Sequence, residues 1–327
     1  MIITRTPFRI SFAGGGSDLE VSYARQPGAV LCTAIDKFMY LAVKEHFGRN
    51  FRVSYSKTEY AATVEEIEHP IVRECLLSVG LEQPLEIVSM ADLPAQAGMG
   101  SSSSFTVGLL HALHALRGEV VTPNVLAEEA CRIEIDRLGE PIGKQDQYIA
   151  AYGGLQYVEF HHDGAVRVEP VLCSKEVYRE LDRRLVIFFT GTTRNARDVL
   201  ARQRSNTPKR LPMLAQLCDI ARDMRDVLTA GKDLAEFGRL LDEAWLAKKS
   251  LESSISNTGI NEVYARALAA GALGGKLLGA GGGGFLLFYC EPELQEQLRS
   301  ELGELREVRF AFSPYGSRIV HEGSSLA

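Results

Sequence analysis

The chain has 327 residues, 46% of them hydrophobic and 24% charged, with a formal net charge of −6. That length suits two domains or one large one, and the composition is ordinary for a globular protein that buries a sizeable core. The chain has no dense Lys/Arg block, no apolar run near the ~18 residues of a membrane span, and no basic-then-apolar leader in MIITRTPFRISFAGGG. Nucleic-acid binding, membrane insertion and secretion are therefore not expected.

Residues 1–60 read mostly as strands. Residues 9–13 alternate and stop at Gly14-Gly15-Gly16; the β-rich runs GAVLCTAI and FMYLAVKEHF follow, with a turn expected at Asp36-Lys37. A helix is expected over 70–79 after Pro70, then a strand over 85–90. Phe105, Leu109, Leu113 and Leu116 recur at helical spacing over 103–116. Thr122 and Pro123 mark the N-cap and first turn of a second helix running to about 138. Two strands, 153–160 and 166–171, flank the turn His162-Asp163-Gly164, and 183–190 reads as a buried strand. From 195 to about 270 the pattern is chiefly helical, with breaks near Pro208, near Gly231 and over 253–259. The end carries KLLGAGGGGFLLFYC, a helix after Pro292 and a strand expected over 306–312. The β-rich first half gives way to helices near 180, so the expected domains are 1–180 and 181–327. Six scattered cysteines without a C-x-x-C pair read as reduced core residues of a cytoplasmic protein. His111 and His114 lie three apart with no third ligand nearby, which argues against a metal site there.

Three segments concentrate glycine. In PAQAGMGSSSS (94–104) a Gly/Ser loop feeds the helix expected after it. Glycine lets backbone approach a ligand closely, and a helix N-terminus offers unpaired N–H groups with a partial positive charge. Together they make an anion cradle, for which phosphate is the common guest. The same residues would also serve as an ordinary loop with a serine N-cap. No Gly-Lys-Ser/Thr follows as in a Walker A loop, and no third glycine completes a dinucleotide fingerprint. PFRISFAGGGSDL (7–19) sets Arg9 on a strand and Asp18 just after three glycines. In KLLGAGGGGFLLFY (276–289) five glycines fall within six positions before an apolar strand. Ordering so many glycines costs conformational entropy, which favours close approach to something.

In this order the three segments resemble the signature motifs of the GHMP kinase superfamily, across essentially the whole chain. The middle one has the family form Pro-x3-Gly-x-Gly-Ser-Ser at Pro94, Gly98, Gly100, Ser101 and Ser102, with Ser103-Ser104 where alanine is usual. Within the superfamily FRISFAGGGSDL looks most like the branch of sugar 1-kinases acting on D-glycero-D-manno-heptose 7-phosphate; L-fucose kinases carry a similar segment. The resemblance implies an α+β, two-domain kinase, with a ribosomal-S5-like N-terminal domain, a ferredoxin-like C-terminal domain and the active site between them.

It also implies roles for particular residues. Pro94, Gly98, Met99, Gly100 and Ser101 to Ser104 would bind ATP. Ser102 and Glu134, which lies twelve residues before Asp146, would hold Mg²⁺. Glu134 could equally be a solvated helix carboxylate, and Asp136, two residues on, would face away from it. Asp146 would take or orient the acceptor hydroxyl, with Arg9 as the cation beside it and the γ-phosphate. Lys144 would tune that carboxylate or be solvated. Asp18, nine residues after Arg9, would accept sugar hydroxyls or cap a helix starting near Leu19. Gly15, Gly16, Gly282 and Gly283 would lie against the substrate, Arg194 would meet a distal phosphate, and Lys276 has no firm role.

The implied activity is transfer of the γ-phosphoryl group of ATP to the anomeric hydroxyl of the heptose 7-phosphate. An L-fucose or hexose 1-kinase is the alternative, and a non-catalytic sugar or nucleotide sensor a further one. The implied partners are ATP and a free or phosphorylated sugar, without nucleic acid or membrane, and a homodimer is the assembly considered.

Overall fold

A computed structural model describes residues 1–192, 199–202, 206–207, 210–231 and 233–323. Among them the chain builds two sheets. The first uses β1 (Ile2–Ala13), β2 (Gly28–Glu45), β3 (Phe51–Ser54), β4 (Thr58–Ala61), β5 (Leu85–Ala91), β6 (Leu155–Phe160) and β7 (Val166–Pro170). The second is antiparallel and holds β8 (Leu185–Phe189), β9 (Ala272–Leu277), β10 (Phe285–Cys290) and β11 (Arg306–Glu307) in the order β11-β8-β10-β9. The chain then returns, and β12 (Arg318–Glu322) pairs with β1 to give the first sheet the order β12-β1-β2-β5-β3-β4, with β6 and β7 branching from β2. The expected boundary at 180 therefore separates the sheets but not the chain: β12 belongs to the first sheet.

The helices are α1 (Glu20–Tyr23), α2 (Pro70–Val79), α3 (Ser101–Leu116), α4 (Pro123–Cys131), α5 (Gln145–Tyr152), α6 (Lys175–Arg184), α7 (Leu211–Ala230), α8 (Ala235–Leu251), α9 (Thr258–Ala269) and α10 (Gln295–Glu301). Local chemistry fixes several ends. α2 has Pro70 in its first turn and ends at the left-handed Gly80, and Thr122 caps α4 by accepting from the Val125 N–H. α4 runs on as a π-helical turn, Arg132–Arg137.

The two layers meet on β1. Its second half, from Thr6 onward, is buried without interruption, as expected of a strand covered on both faces. α3 and α5 pack against it, as do α7 and α8 from the second half of the chain. Phe12 on β1 meets Phe237 on α8 edge-to-face, with ring centroids 5.2 Å apart.

Two expected elements differ. Asp36-Lys37 is not a turn: β2 continues through it as one strand of 18 residues. Gly28 to Thr33 pair with β6, Met39 to Glu45 pair with β5, and the register against β1 slips between Pro7 and Arg9. The strand changes partner where a turn was expected, and Asp36 is held there by Ala311, which accepts from its N–H and donates to its carboxylate, both at 2.8 Å. The strand expected over 306–312 shrinks to Arg306–Glu307, because beyond it the chain crosses to the first sheet, where Ile35 and Phe312 form an isolated bridge.

All six cysteines are free, and all but Cys173 are buried. No helix among the described residues is long and apolar enough to cross a membrane.

Candidate active site

The Gly/Ser loop opens straight into α3. Gly100 is the N-cap residue, in the left-handed region at φ 76°, and no side chain caps the helix. The serine-cap alternative is thus not realised, and the first N–H groups of a 16-residue helix have no side-chain partner among the described residues. Ser101 and Ser102 line a cavity of about 410 Å³. The next hydroxyls turn inward: Ser103 donates to Glu134 Oε2 at 2.8 Å, and Ser104 to the Pro7 carbonyl at 2.8 Å. Met99 is buried, and its carbonyl accepts from the Arg9 N–H at 3.1 Å; Pro94 is exposed at the loop's start. Pro94, Met99, Ser103 and Ser104 therefore shape the loop from outside the cavity, while Gly98, Gly100, Ser101 and Ser102 line it.

Arg9 is 4% exposed and reaches across the same cavity. It grips Asp146 with two parallel hydrogen bonds, Nε to Oδ1 at 2.7 Å and Nη2 to Oδ2 at 2.8 Å. Its remaining arm donates from Nη1 to the Gly98 carbonyl at 2.6 Å. The guanidinium thus ties the carboxylate to the loop. Asp18 is buried on the same side and accepts from the Gly16 N–H at 2.8 Å and the Gln145 N–H at 3.3 Å. Leu19, not Asp18, is the N-cap residue of α1. Burial raises the Asp18 pKa; the Gly16 hydrogen bond works against this, and the Asp146 charge adds to it. Gly15 and Gly16 line the cavity beside it.

Glu134 sits in the π-helical turn and is 1% exposed, so it is not a solvated helix carboxylate; Asp136 is the exposed one. Gln147 donates to Glu134 Oε2 at 2.7 Å, alongside Ser103, and the Ser102 hydroxyl is a further partner. Burial dominates these hydrogen bonds and pushes its pKa up to about 7.

The third glycine segment closes the wall, but with other residues than expected. Gly279 and Ala280 line the cavity, whereas Gly282 and Gly283 do not. The Gly282 N–H donates to the Ile255 carbonyl at 2.9 Å, and Gly283 packs on Thr192. Gly279 abuts Gly98, so a side chain on either would collide with the other loop's backbone. These glycines therefore join two loops as well as facing the cavity. Arg194 lies outside the described residues.

Two family models match the chain: the GHMP kinases N-terminal domain over residues 69–154 and the GHMP kinases C-terminal model over residues 213–306. The chain belongs to the GHMP kinase family. It is an ATP-dependent small-molecule kinase with that family's two-domain α+β fold. The chain is 28% identical to the D-glycero-alpha-D-manno-heptose 7-phosphate kinase of Campylobacter jejuni, over 94% of this chain and 96% of that protein. It is 27% identical to the bifunctional fucokinase/GDP-fucose pyrophosphorylase of Arabidopsis thaliana, over 92% of this chain and 31% of that one. A crystal structure described as a D-glycero-D-manno-heptose 1-phosphate kinase from Bacteriodes thetaiotaomicron superposes with a TM-score of 0.82 at 25% identity, covering 99% of this chain and all of that one.

Several residues of this GHMP kinase's cavity carried no signal as motifs. Ser11 and Gln145 line it, and the Ser11 hydroxyl and Gln145 Oε1 have no hydrogen-bond partner among the described residues. Lys248 on α8 lines it too, and its ammonium donates to the Gly279 carbonyl at 2.6 Å. A trace of Lys248 was present: with Leu241, Ala244 and Trp245 it completes a stripe at helical spacing where an apolar residue is expected. Lys276 is buried outside the cavity lining and donates to the Ser11 and Phe12 carbonyls at 2.6 and 2.7 Å, tying β9 to β1. Lys144 donates to the Gly164 carbonyl at 2.8 Å and sits over the Tyr23 ring, which gives it a structural partner of its own.

Proposed function

We propose that this kinase phosphorylates D-glycero-D-manno-heptose 7-phosphate at its anomeric hydroxyl, giving the 1,7-bisphosphate, in the cytoplasm. The observation that carries the catalytic reading is the Arg9–Asp146 pair, suspended from the Gly98 carbonyl inside the cavity that Asp18 and α3 share. The heptose assignment draws on the Campylobacter jejuni relative and on the FAGGGSD segment.

Phosphoryl transfer asks for positioning and charge stabilisation more than for covalent chemistry. The uncapped start of α3, with Ser101 and Ser102, would receive the terminal phosphates of ATP. The acceptor oxygen attacks the γ-phosphorus, the bond to the β,γ-bridging oxygen breaks, and its electron pair leaves on ADP. The acceptor's proton passes to Asp146. An anomeric hydroxyl is more acidic than an ordinary alcohol, so a carboxylate of modest basicity suffices. Arg9 fixes the plane of that carboxylate and stays charged throughout. Asp18, with Gly15 and Gly16 beside it, would accept sugar hydroxyls.

Glu134 and Ser102 supply oxygen donors at the cavity wall and suit Mg²⁺, which takes one or two protein oxygens and keeps phosphate and water as its other ligands. No cluster of three or more His, Cys, Asp or Glu that could hold a metal occurs among the described residues. When bound, the ion would offset the negative charge of the phosphates.

A panel of acceptors tests the assignment. ADP release is measured with the heptose 7-phosphate, L-fucose, galactose and mannose, and the product is read by ³¹P NMR. The reading predicts the highest kcat/KM for the heptose phosphate and a phosphate on the anomeric oxygen. A preference for L-fucose or a hexose would replace it with the alternative sugar kinase. ATP consumption with none of them would favour neither.

A further inference from the structure

The cavity holds a second buried cation besides Arg9, Lys248. Lys248 occupies a position on the apolar stripe of α8 where Leu or Met would be expected, and it is 8% exposed. An ammonium carries three donors, yet among the described residues it makes one hydrogen bond, to the Gly279 carbonyl at 2.6 Å. Lys276 differs in just this respect: it is spent on two carbonyls of β1 and does not line the cavity.

The place of that bond matters. Gly279 abuts Gly98, and Gly98 is the residue whose carbonyl holds Arg9. The two cations are therefore anchored to neighbouring backbone, one on each glycine loop, and both face the cavity that contains Asp18 and Asp146. Leaving an ammonium desolvated with unused donors is costly unless something negative meets it.

We infer that Lys248 is a second cation of the transfer centre, placed beside Arg9 at the junction of the two glycine loops, and that it stabilises the negative charge on the phosphoryl group as it passes to the acceptor. The inference rests on the kinase reading and not on which sugar is used. In the transfer the acceptor oxygen bonds phosphorus, the bond to the β,γ-bridging oxygen breaks, ADP departs with the electron pair, and the proton goes to Asp146. Lys248 keeps its proton and contributes hydrogen bonds and charge.

The groups facing the ammonium are Arg9 from β1, Asp18 from the loop before α1, Asp146 from α5 and Lys276 from β9. Burial first and Arg9 second push the Lys248 pKa down to about 8, while Asp18 and Asp146 pull it up. The free enzyme thus loses this charge on mildly alkaline titration.

Lys248→Met, Lys248→Arg and Lys248→Ala test the inference, assayed with whichever acceptor the wild type uses. The Met variant should lose about 10²- to 10³-fold in kcat, the range for one preorganised charge donor, with KM for ATP changed far less. The alkaline limb of kcat/KM near pH 8 in the wild type should move upward in Lys248→Arg, since a guanidinium does not titrate there. Ethylammonium should restore about tenfold or more of the turnover of Lys248→Ala. A Met variant within about threefold of wild-type kcat would overturn the inference. So would three variants that lose activity and melting temperature together with no rescue by ethylammonium, since that pattern marks a tie to Gly279 and nothing more. A wild type that prefers another sugar would refute the heptose assignment alone, and the Lys248 outcomes would still stand or fall separately.

Discussion

Arg9 and Asp146 lie 137 residues apart in sequence and meet as a fork on a fork, Nε to Oδ1 at 2.7 Å and Nη2 to Oδ2 at 2.8 Å, while the third arm of Arg9 holds Gly98. One side chain thus fixes both the Asp146 carboxylate, proposed to take the acceptor's proton, and the Gly/Ser loop. Arg9→Lys keeps the charge and forfeits the fork. It should lower kcat on the order of 10²-fold. Steady-state kinetics at saturating ATP check this, and a change under threefold would mean that charge alone suffices.

Gly98 is tested by adding one carbon. It sits at φ 80°, and a Cβ would run into the Leu278 carbonyl of the opposing loop. Gly98→Ala combines left-handed strain with a backbone collision, for a destabilisation of about 2–4 kcal/mol. Urea unfolding should show that loss, and a nucleotide titration should show weakened ATP binding, because the two loops can no longer close on each other.

Away from the cavity, His114 at the end of α3 is clamped between Glu119 and Glu129, with Nδ1 and Nε2 each 2.7 Å from a carboxylate oxygen. The Glu129 hydrogen bond, ahead of the other contributions, raises its pKa above the usual histidine value of 6.5. A group whose folded-state pKa is raised adds stability that is complete below its unfolded pKa and fades as pH rises through the folded one. His114→Gln should therefore cost about 1 kcal/mol at pH 6, given partial solvent screening, and progressively less in alkaline buffer. Thermal melts of both proteins across that range check the sign. A difference that widens with pH would contradict it.

How far the sequence could be read depended on whether the cause was local. Pro70 and Gly80 punctuate α2 wherever the helix sits in the fold, and Gly98-Met99-Gly100 before an amphipathic run already describes a loop entering a helix. Arg9, Asp18, Glu134 and Asp146 fall in motifs at fixed spacings, and the fold brings all four to one cavity. What escaped was set by distant partners. Asp36-Lys37 has the composition of a turn, yet β2 runs straight through because β5, β6 and Ala311 each hold part of it. The return of β12 to β1 leaves no mark in a five-residue strand that is largely exposed. Glycines 281–284 stand out in composition, but which of them faces the cavity depends on Ile255 and Thr192, and Gly279 and Ala280 take that place. Lys248 is one charge on an apolar stripe, a weak sign until the cavity shows what the stripe faces.

Asp146 offers the most direct test of the transfer centre. Asp146→Asn keeps size and shape and removes the base, but its single carbonyl oxygen can accept from only one arm of Arg9, and its amide nitrogen faces the other donor. Acceptor-dependent ADP release should fall about 10²- to 10⁴-fold, with ATP binding retained and the melting temperature lowered by the lost half of the fork. Turnover within a few-fold of wild type would show that the proton and the phosphoryl group are handled elsewhere, and this cavity would lose its claim to be the transfer centre.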